Sequence, residues 1–329
     1  MNLMPLKFHP ILKEKIWGGR KLGTLLNKPL TGDEPIGESW EISGVPGDVS
    51  VVNGGPFDGI KLTELIERFP VEILGERVYK KYGRDFPLLF KFIDAAQDLS
   101  VQVHPDDALA MKKHSQPFGK NEMWYIISAE EGSTLVSGFK ENMSRDKFQK
   151  MVEEGKVADT LLNHEVEEGD VYDIPAGRIH TIGKGILLAE IQQSSDLTYR
   201  VYDFDRVDTN GNKRELHIDD AYEALDYEYK DQYKVRPATK PDTSDQLVAN
   251  SYFDVKQLTI QTETSITPSA LGSFVVLMAI EGTTEIVYNG ETNLLPKGKT
   301  ILLPAACSEI KIKAIDGQSK LLQTCISES

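Results

Sequence analysis

Two histidines, a glutamate and a glutamine stand at spacings that can bring them to one ion. Gln102 and His104 alternate along Leu99-Ser100-Val101-Gln102-Val103-His104, which puts both side chains on one face of a strand. Lys120-Asn121-Glu122 follows. Farther on, Gly169-Asp170-Val171-Tyr172-Asp173-Ile174-Pro175-Ala176-Gly177-Arg178-Ile179-His180 reads as a strand, a tight Pro-x-Gly turn and a histidine aimed at a fixed point. Imidazoles with a carboxylate bind a divalent metal and leave a position open for water or substrate. A glutamine oxygen added to that set suits Zn²⁺, Mn²⁺ or Co²⁺. The other histidines, His9, His114, His164 and His217, lack a patterned context and read as ordinary core or surface residues.

Charged residues accompany the set. Lys120 lies two positions before Glu122, so on an extended segment it shares the ligand's face. Lys91 lies in the apolar run Phe86 to Ile93, where it needs either an anionic partner or a route to water. Glu190 and Gln192 share one strand face, and Asp196 and Arg200 are evenly spaced across the turn and strand that follow. All four come after the His180 hairpin and can return to the same end of the fold.

Short strands must position these groups. They are expected at 38–43, 49–52, 86–93, 99–104, 123–127, 171–174, 186–193 and 198–204, between Gly- and Pro-rich turns. Helices are expected at 61–69, at 71–82, after Pro105-Asp106-Asp107, after the capping Ser144, at 157–162 and at 217–225. A small helical insertion is thus expected at about 105–165. A polar segment, 230–246, reads as a connection, and Asn289-Gly290 as a two-residue hairpin turn. The pattern Gly169-x5-Pro175-x-Gly177-x2-His180 recurs as Gly298-x5-Pro304-x-Ala306-x2-Glu309. The repeat predicts a mainly β chain of two jelly-roll barrels. One is a catalytic domain over 1–235; the other spans 236–329 and has no metal site, with Glu309 where a histidine would stand.

The chain has 329 residues, enough for one large and one smaller domain, and its 40% hydrophobic content is ordinary for a soluble globular protein. A net charge of −14 without a basic cluster argues against nucleic acid and anionic membrane as partners. No stretch reaches about 18 apolar residues, and the N-terminus lacks a signal-like run, so a cytoplasmic location is expected. Cys307 and Cys325 form no ligand pattern and read as buried reduced thiols.

Taken in order, Trp17-Gly18-Gly19, Gly37-Glu38-Ser39-Trp40-Glu41, Gln102-x-His104-Pro105-Asp106, Lys120-x-Glu122-Met123-Trp124, Pro175-x-Gly177-x2-His180 and Glu190-Ile191-Gln192-Gln193-Ser194-Ser195-Asp196-x3-Arg200 resemble type I mannose-6-phosphate isomerases of the short bacterial form. The resemblance is close over residues 5 to about 230 and covers the whole chain in layout. It implies a cupin-superfamily enzyme with one Zn²⁺ per chain and a sugar phosphate substrate, interconverting mannose 6-phosphate and fructose 6-phosphate through a cis-enediol. By position it makes Gln102, His104, Glu122 and His180 the metal ligands, and Lys120, Glu190, Asp196 and Arg200 active-site residues. Lys91, Lys120 and Arg200 are candidates to hold the phosphate. The proton-transfer base is Asp196 or Glu190, with Lys120 as rival. Two departures stand out: the helical insert is smaller than in the long form, and Lys184 replaces the usual Asn. The alternatives are an Fe²⁺ cupin dioxygenase and a non-catalytic bicupin that binds sugar or regulates.

Overall fold

The computed structural model describes residues 3–207, 211–230, 234–238 and 240–328. Twelve strands form its first half: β1 (Ile11–Gly19), β2 (Ile36–Ile42), β3 (Leu88–Ala95), β4 (Val101–Val103), β5 (Glu122–Ala129), β6 (Thr134–Phe139), β7 (Leu161–Glu165), β8 (Val171–Ile174), β9 (His180–Ile182), β10 (Ile186–Gln193), β11 (Tyr199–Tyr202) and β12 (Lys234–Val235). The second half holds β13 (Thr243–Ala249), β14 (Asp254–Ile260), β15 (Glu263–Ile266), β16 (Val275–Glu281), β17 (Thr283–Tyr288), β18 (Glu291–Pro296), β19 (Thr300–Leu303), β20 (Ile310–Ala314) and β21 (Ser319–Cys325). Between strands run α1 (Lys21–Leu26), α2 (Leu62–Arg68), α3 (Pro70–Leu74), α4 (Glu76–Tyr82), α5 (Asp107–His114), α6 (Arg145–Glu153), α7 (Ile218–Ala224) and α8 (Pro268–Leu271).

The strands make two jelly-roll sandwiches. In the first, a seven-stranded sheet, β1-β2-β3-β10-β5-β8-β12, packs on a five-stranded one, β11-β4-β9-β6-β7. In the second, β13-β14-β21-β16-β19 packs on β15-β20-β17-β18. Each has its own apolar interior: Ile93, Trp124, Ile126, Ile182 and Leu188 in the first, Leu277, Ile286, Leu295, Ile301 and Ile312 in the second. The largest cluster joins them. It runs from Phe90, Phe92, Leu187 and Ile191 through α1–α4 to Val255, Val276 and Leu322. Every residue of β10 is buried, because one face looks into this joint and the other into the first sandwich.

Along β3, β10 and β5 the face turned into the first sandwich is apolar at one end and charged at the other. Register puts Glu190 opposite Lys91 on one side and Trp124 on the other. The charged end is where the site lies.

The capping residues of the two longer helices behave as expected. Asp106 accepts a hydrogen bond from Leu109 N at 2.8 Å, and Ser144 from Lys147 N at 3.2 Å. The Asn289-Gly290 turn closes β17 onto β18 with both residues at positive φ. Four expectations change. The helix over 71–82 is two helices, α3 and α4, broken at Gly75, whose φ of 92° lies outside the helical range. The third helix of the 105–165 stretch is one 3₁₀ turn, Val157–Thr160, because the chain from Leu161 pairs with β6. The stretch itself holds β5, β6 and β7 as well as α5 and α6, so its helices are set singly between strands. Residues 49–52 form isolated bridges only. In the expected connection over 230–246, residues 231–233 and 239 lie outside those described.

Candidate metal centre and active site

Three segments deliver the four expected ligands to one end of the first sandwich. Gln102 of β4 pairs across the ladder with His180, the first residue of β9. His104 follows β4, and Glu122 opens β5 opposite Gln192. The Pro-x-Gly turn locks the two histidine segments together: Gly177 N donates to His104 O at 2.9 Å. Gly177 has φ +86°, and a Cβ there would lie 2.9 Å from Ala224 O, so a side chain would disturb the hairpin.

His180 Nε2 stands 3.3 Å from Glu122 Oε1, and His104 Nε2 stands 3.6 Å from Glu122 Oε2. These separations match the edge of a tetrahedron, about 3.4 Å, for metal–ligand bonds of roughly 2.0–2.2 Å. One donor atom from each of His104, Glu122 and His180 lies within 4.8 Å of the others, and no other such group occurs among the described residues. The Gln102 amide approaches His180 Nε2 at 3.2 Å.

The outer ring nitrogens are held as a metal site requires. His104 Nδ1 donates to Leu197 O and His180 Nδ1 to Arg178 O, each at 2.8 Å. A carbonyl only accepts, so both Nδ1 atoms carry hydrogen and both Nε2 lone pairs face inward. Burial, with the Lys120 ammonium, keeps both imidazoles neutral: His104 falls well below its usual value and His180 to about 3. Glu122 is fully buried, and burial raises its carboxyl despite Lys120. Its Oε1 accepts no hydrogen bond. Two inward lone pairs and an unsatisfied buried carboxylate oxygen are what a divalent cation fits.

Lys120 Nζ sits 3.0 Å from His104 Nε2 and pairs with Glu122. Lys91 is 6% exposed, and its buried ammonium donates to Glu190 Oε1 at 2.8 Å and Gln192 Oε1 at 2.6 Å. It has the anionic partner that its apolar strand demanded. Burial works against both charges, but each outweighs it for the other: Glu190 is held low by Lys91 and Lys120, and Lys91 is held high by Glu190 and Glu38. Glu190 Oε2 accepts from Trp124 Nε1 at 3.0 Å, so both its oxygens are engaged.

A cavity of about 340 Å³ opens above this floor. Asp196, exposed, and Arg200 line its rim, so the cavity gathers Gln102, Lys120, Lys91, Glu190, Asp196 and Arg200. Arg200 Nη1 donates to Glu215 O at 2.7 Å, while its buried Nε has no partner among the described residues. Other lining groups were given no role from sequence: Lys15, Trp17, Glu38, Trp40, Ser100 and Arg214. Glu38 and Trp40 alternate on β2, and their period-two spacing was a usable signal. Arg214 lies in an irregular loop that offered none. Trp40 Nε1 donates to Glu38 Oε2 at 2.7 Å, and its ring lies 5.2 Å from the Lys91 ammonium. Trp124 meets the His180 ring edge-on at 5.4 Å.

Residues 5–151 match the model of the phosphomannose isomerase type I catalytic domain, and residues 243–324 that of the mannose-6-phosphate isomerase cupin domain. The chain is 36% identical over 330 residues to a mannose-6-phosphate isomerase of Streptococcus mutans, covering 98% of this chain and 99% of the other. It is 33% identical over 315 residues to the Bacillus subtilis mannose-6-phosphate isomerase ManA, covering 95% and 97%. A crystal structure of mannose 6-phosphate isomerase from Bacillus subtilis superposes with a TM-score of 0.87 at 34% identity, over 98% of this chain and 99% of that one. The fold also matches a mannose 6-phosphate isomerase bound with zinc and yttrium, with a TM-score of 0.77 at 17% identity.

Proposed function

This chain belongs to the type I mannose-6-phosphate isomerase family, and from that membership we propose how its residues interconvert mannose 6-phosphate and fructose 6-phosphate. The observation that carries the reading is the triad of His104, Glu122 and His180, with inward lone pairs and a carboxylate oxygen left unsatisfied. One Zn²⁺ per chain is the metal that this donor set favours, with Gln102 as fourth ligand once its amide oxygen is turned inward. When bound, zinc supplies positive charge to a substrate oxygen as the neighbouring proton leaves.

The chain's own groups do the rest. Asp196 is the better base for moving the proton between C1 and C2 through the cis-enediol. It is an exposed carboxylate on the cavity rim, whereas both Glu190 oxygens are already engaged. Lys120 sits beside the ligands, placed to hand a proton to oxygen or to assist ring opening. Arg200 at the rim is the phosphate anchor, with Arg214, held by Asp203, beside it, and Lys91, already paired, keeps Glu190 ionised in the floor. Residues 1–235 then form the catalytic domain, and 236–329 a second domain without a metal site. No described helix is long and apolar enough to cross a membrane. A cytoplasmic place fits the two unpaired cysteines and the sugar phosphate substrate.

Metal analysis with a coupled assay for fructose 6-phosphate tests this reading. One zinc per chain with turnover is expected. Bound metal without isomerisation would overturn it, in favour of an oxygenase or a sugar-binding protein. Asp196→Asn should retain zinc and lower kcat by about 10²–10⁴, and an equal loss of zinc would remove Asp196 from the role of base.

A further inference from the structure

A second cavity, of about 320 Å³, lies where the two sandwiches meet and is lined from both. The first contributes Lys7, Lys28 and Glu41, the second Lys299 and Thr300. Three ammonium groups thus stand against one carboxylate, in a chain whose net charge is −14. Glu41 is already neutralised, accepting from Lys28 Nζ and Ser39 Oγ, each at 2.6 Å. Lys28 spends a second donor on Gly298 O, bridging the sandwiches. Lys7 and Lys299 make no ion pair among the described residues. The hydroxyl of Thr300, a residue only 7% exposed, has no hydrogen-bond partner there. The remaining wall is largely apolar, with Phe8 and Leu294.

We propose that this joint is a binding site for a small organic anion: a carboxylate or phosphate head drawn to Lys7 and Lys299, with an apolar body against Phe8 and the exposed Leu294. With Lys28 and Glu41 neutralising each other, the unpaired ammoniums of Lys7 and Lys299 leave the cavity net positive. The volume suits a small molecule. The spare Thr300 hydroxyl supplies a polar contact that the protein itself does not use. Because Glu41 is the strand neighbour of Trp40, an occupant would press on β2 beside the catalytic cavity while remaining outside it.

Calorimetric titration of the full chain with benzoate and with phenyl phosphate distinguishes the two head groups, and inorganic phosphate tests the need for an apolar body. The expected result is binding of at least one organic probe with Kd below about 1 mM, weakened at least about tenfold by Lys7→Glu/Lys299→Glu with isomerase turnover unchanged. Inorganic phosphate should bind about tenfold more weakly than the better probe. Thr300→Val should lower affinity without lowering Tm, which keeps the test independent of folding. No heat with either organic probe up to about 10 mM, equal affinity in the double variant, or equal affinity for inorganic phosphate would each overturn the proposal.

Discussion

Glu122 shows how closely the site is specified at the level of single atoms. It is fully buried, its two oxygens face two imidazoles, and one of them has no hydrogen bond. Removing either imidazole should therefore remove the ion rather than weaken it slightly. We expect His180→Ala to lose metal and isomerase activity together, as read by metal analysis and turnover on the same sample. Arg200→Ala should keep its metal and lose turnover by about 10²–10³, and the two variants separate the ligand shell from the substrate rim. The convergence of the candidate ligands was legible because strand alternation and the Pro-x-Gly turn each fix a side-chain direction. The occupants of the rim were less so. Lys91 had two readings of equal weight from its strand, and only the cross-strand register with Glu190 decides between them. Arg214 reaches the cavity from an irregular loop, and no local pattern encodes such a reach.

Among the elements, the hairpin from β8 to β9 does the most to position chemistry, and its turn depends on Gly177. With φ at +86° and a carbonyl 2.9 Å from where a Cβ would go, Gly177→Ala should cost about 1–3 kcal/mol. It should also weaken metal binding, because the same residue's N–H holds the His104 segment. Thermal unfolding with and without added zinc measures both. The second copy of the motif keeps Gly298 at positive φ and its following strand, but ends in the exposed Glu309. Strands such as 171–174 and 186–193 were readable to the residue, since Gly and Pro bound them and apolar runs fill them. Helix lengths were not: Gly75 splits one expected helix, and strand pairing from Leu161 truncates another. Both outcomes depend on partners distant in sequence.

Across the whole molecule, the two sandwiches are joined by an apolar cluster and by Lys28, whose side chain is fully buried between Glu41 and Gly298 O. Lys28→Met strands the Glu41 carboxylate and should cost about 3–5 kcal/mol. Adding Glu41→Leu should recover much of that loss in chemical denaturation. Acid stability draws on a different group. Burial opposes ionisation of Asp203, but Arg214 and Arg206 outweigh it and hold the carboxyl below its ordinary value. A depressed carboxyl contributes stability that is complete above its unfolded value, about 3.9. That contribution is lost as pH falls through the lower, folded value. Asp203→Asn should therefore unfold at lower temperature than the parent at pH 7, with the gap closing as pH falls below about 4. A gap that stayed constant with pH would sever that link.

All three tryptophans of the chain gather at one place. Trp17 and Trp40 line the catalytic cavity, while Trp124 touches both His180 and Glu190 beneath it. The second sandwich has no indole at all. With excitation confined to indole, the protein is thus a built-in optical gauge of that one cavity. Emission will respond to ion loading and to sugar phosphate, and will stay dark to events confined to the far lobe.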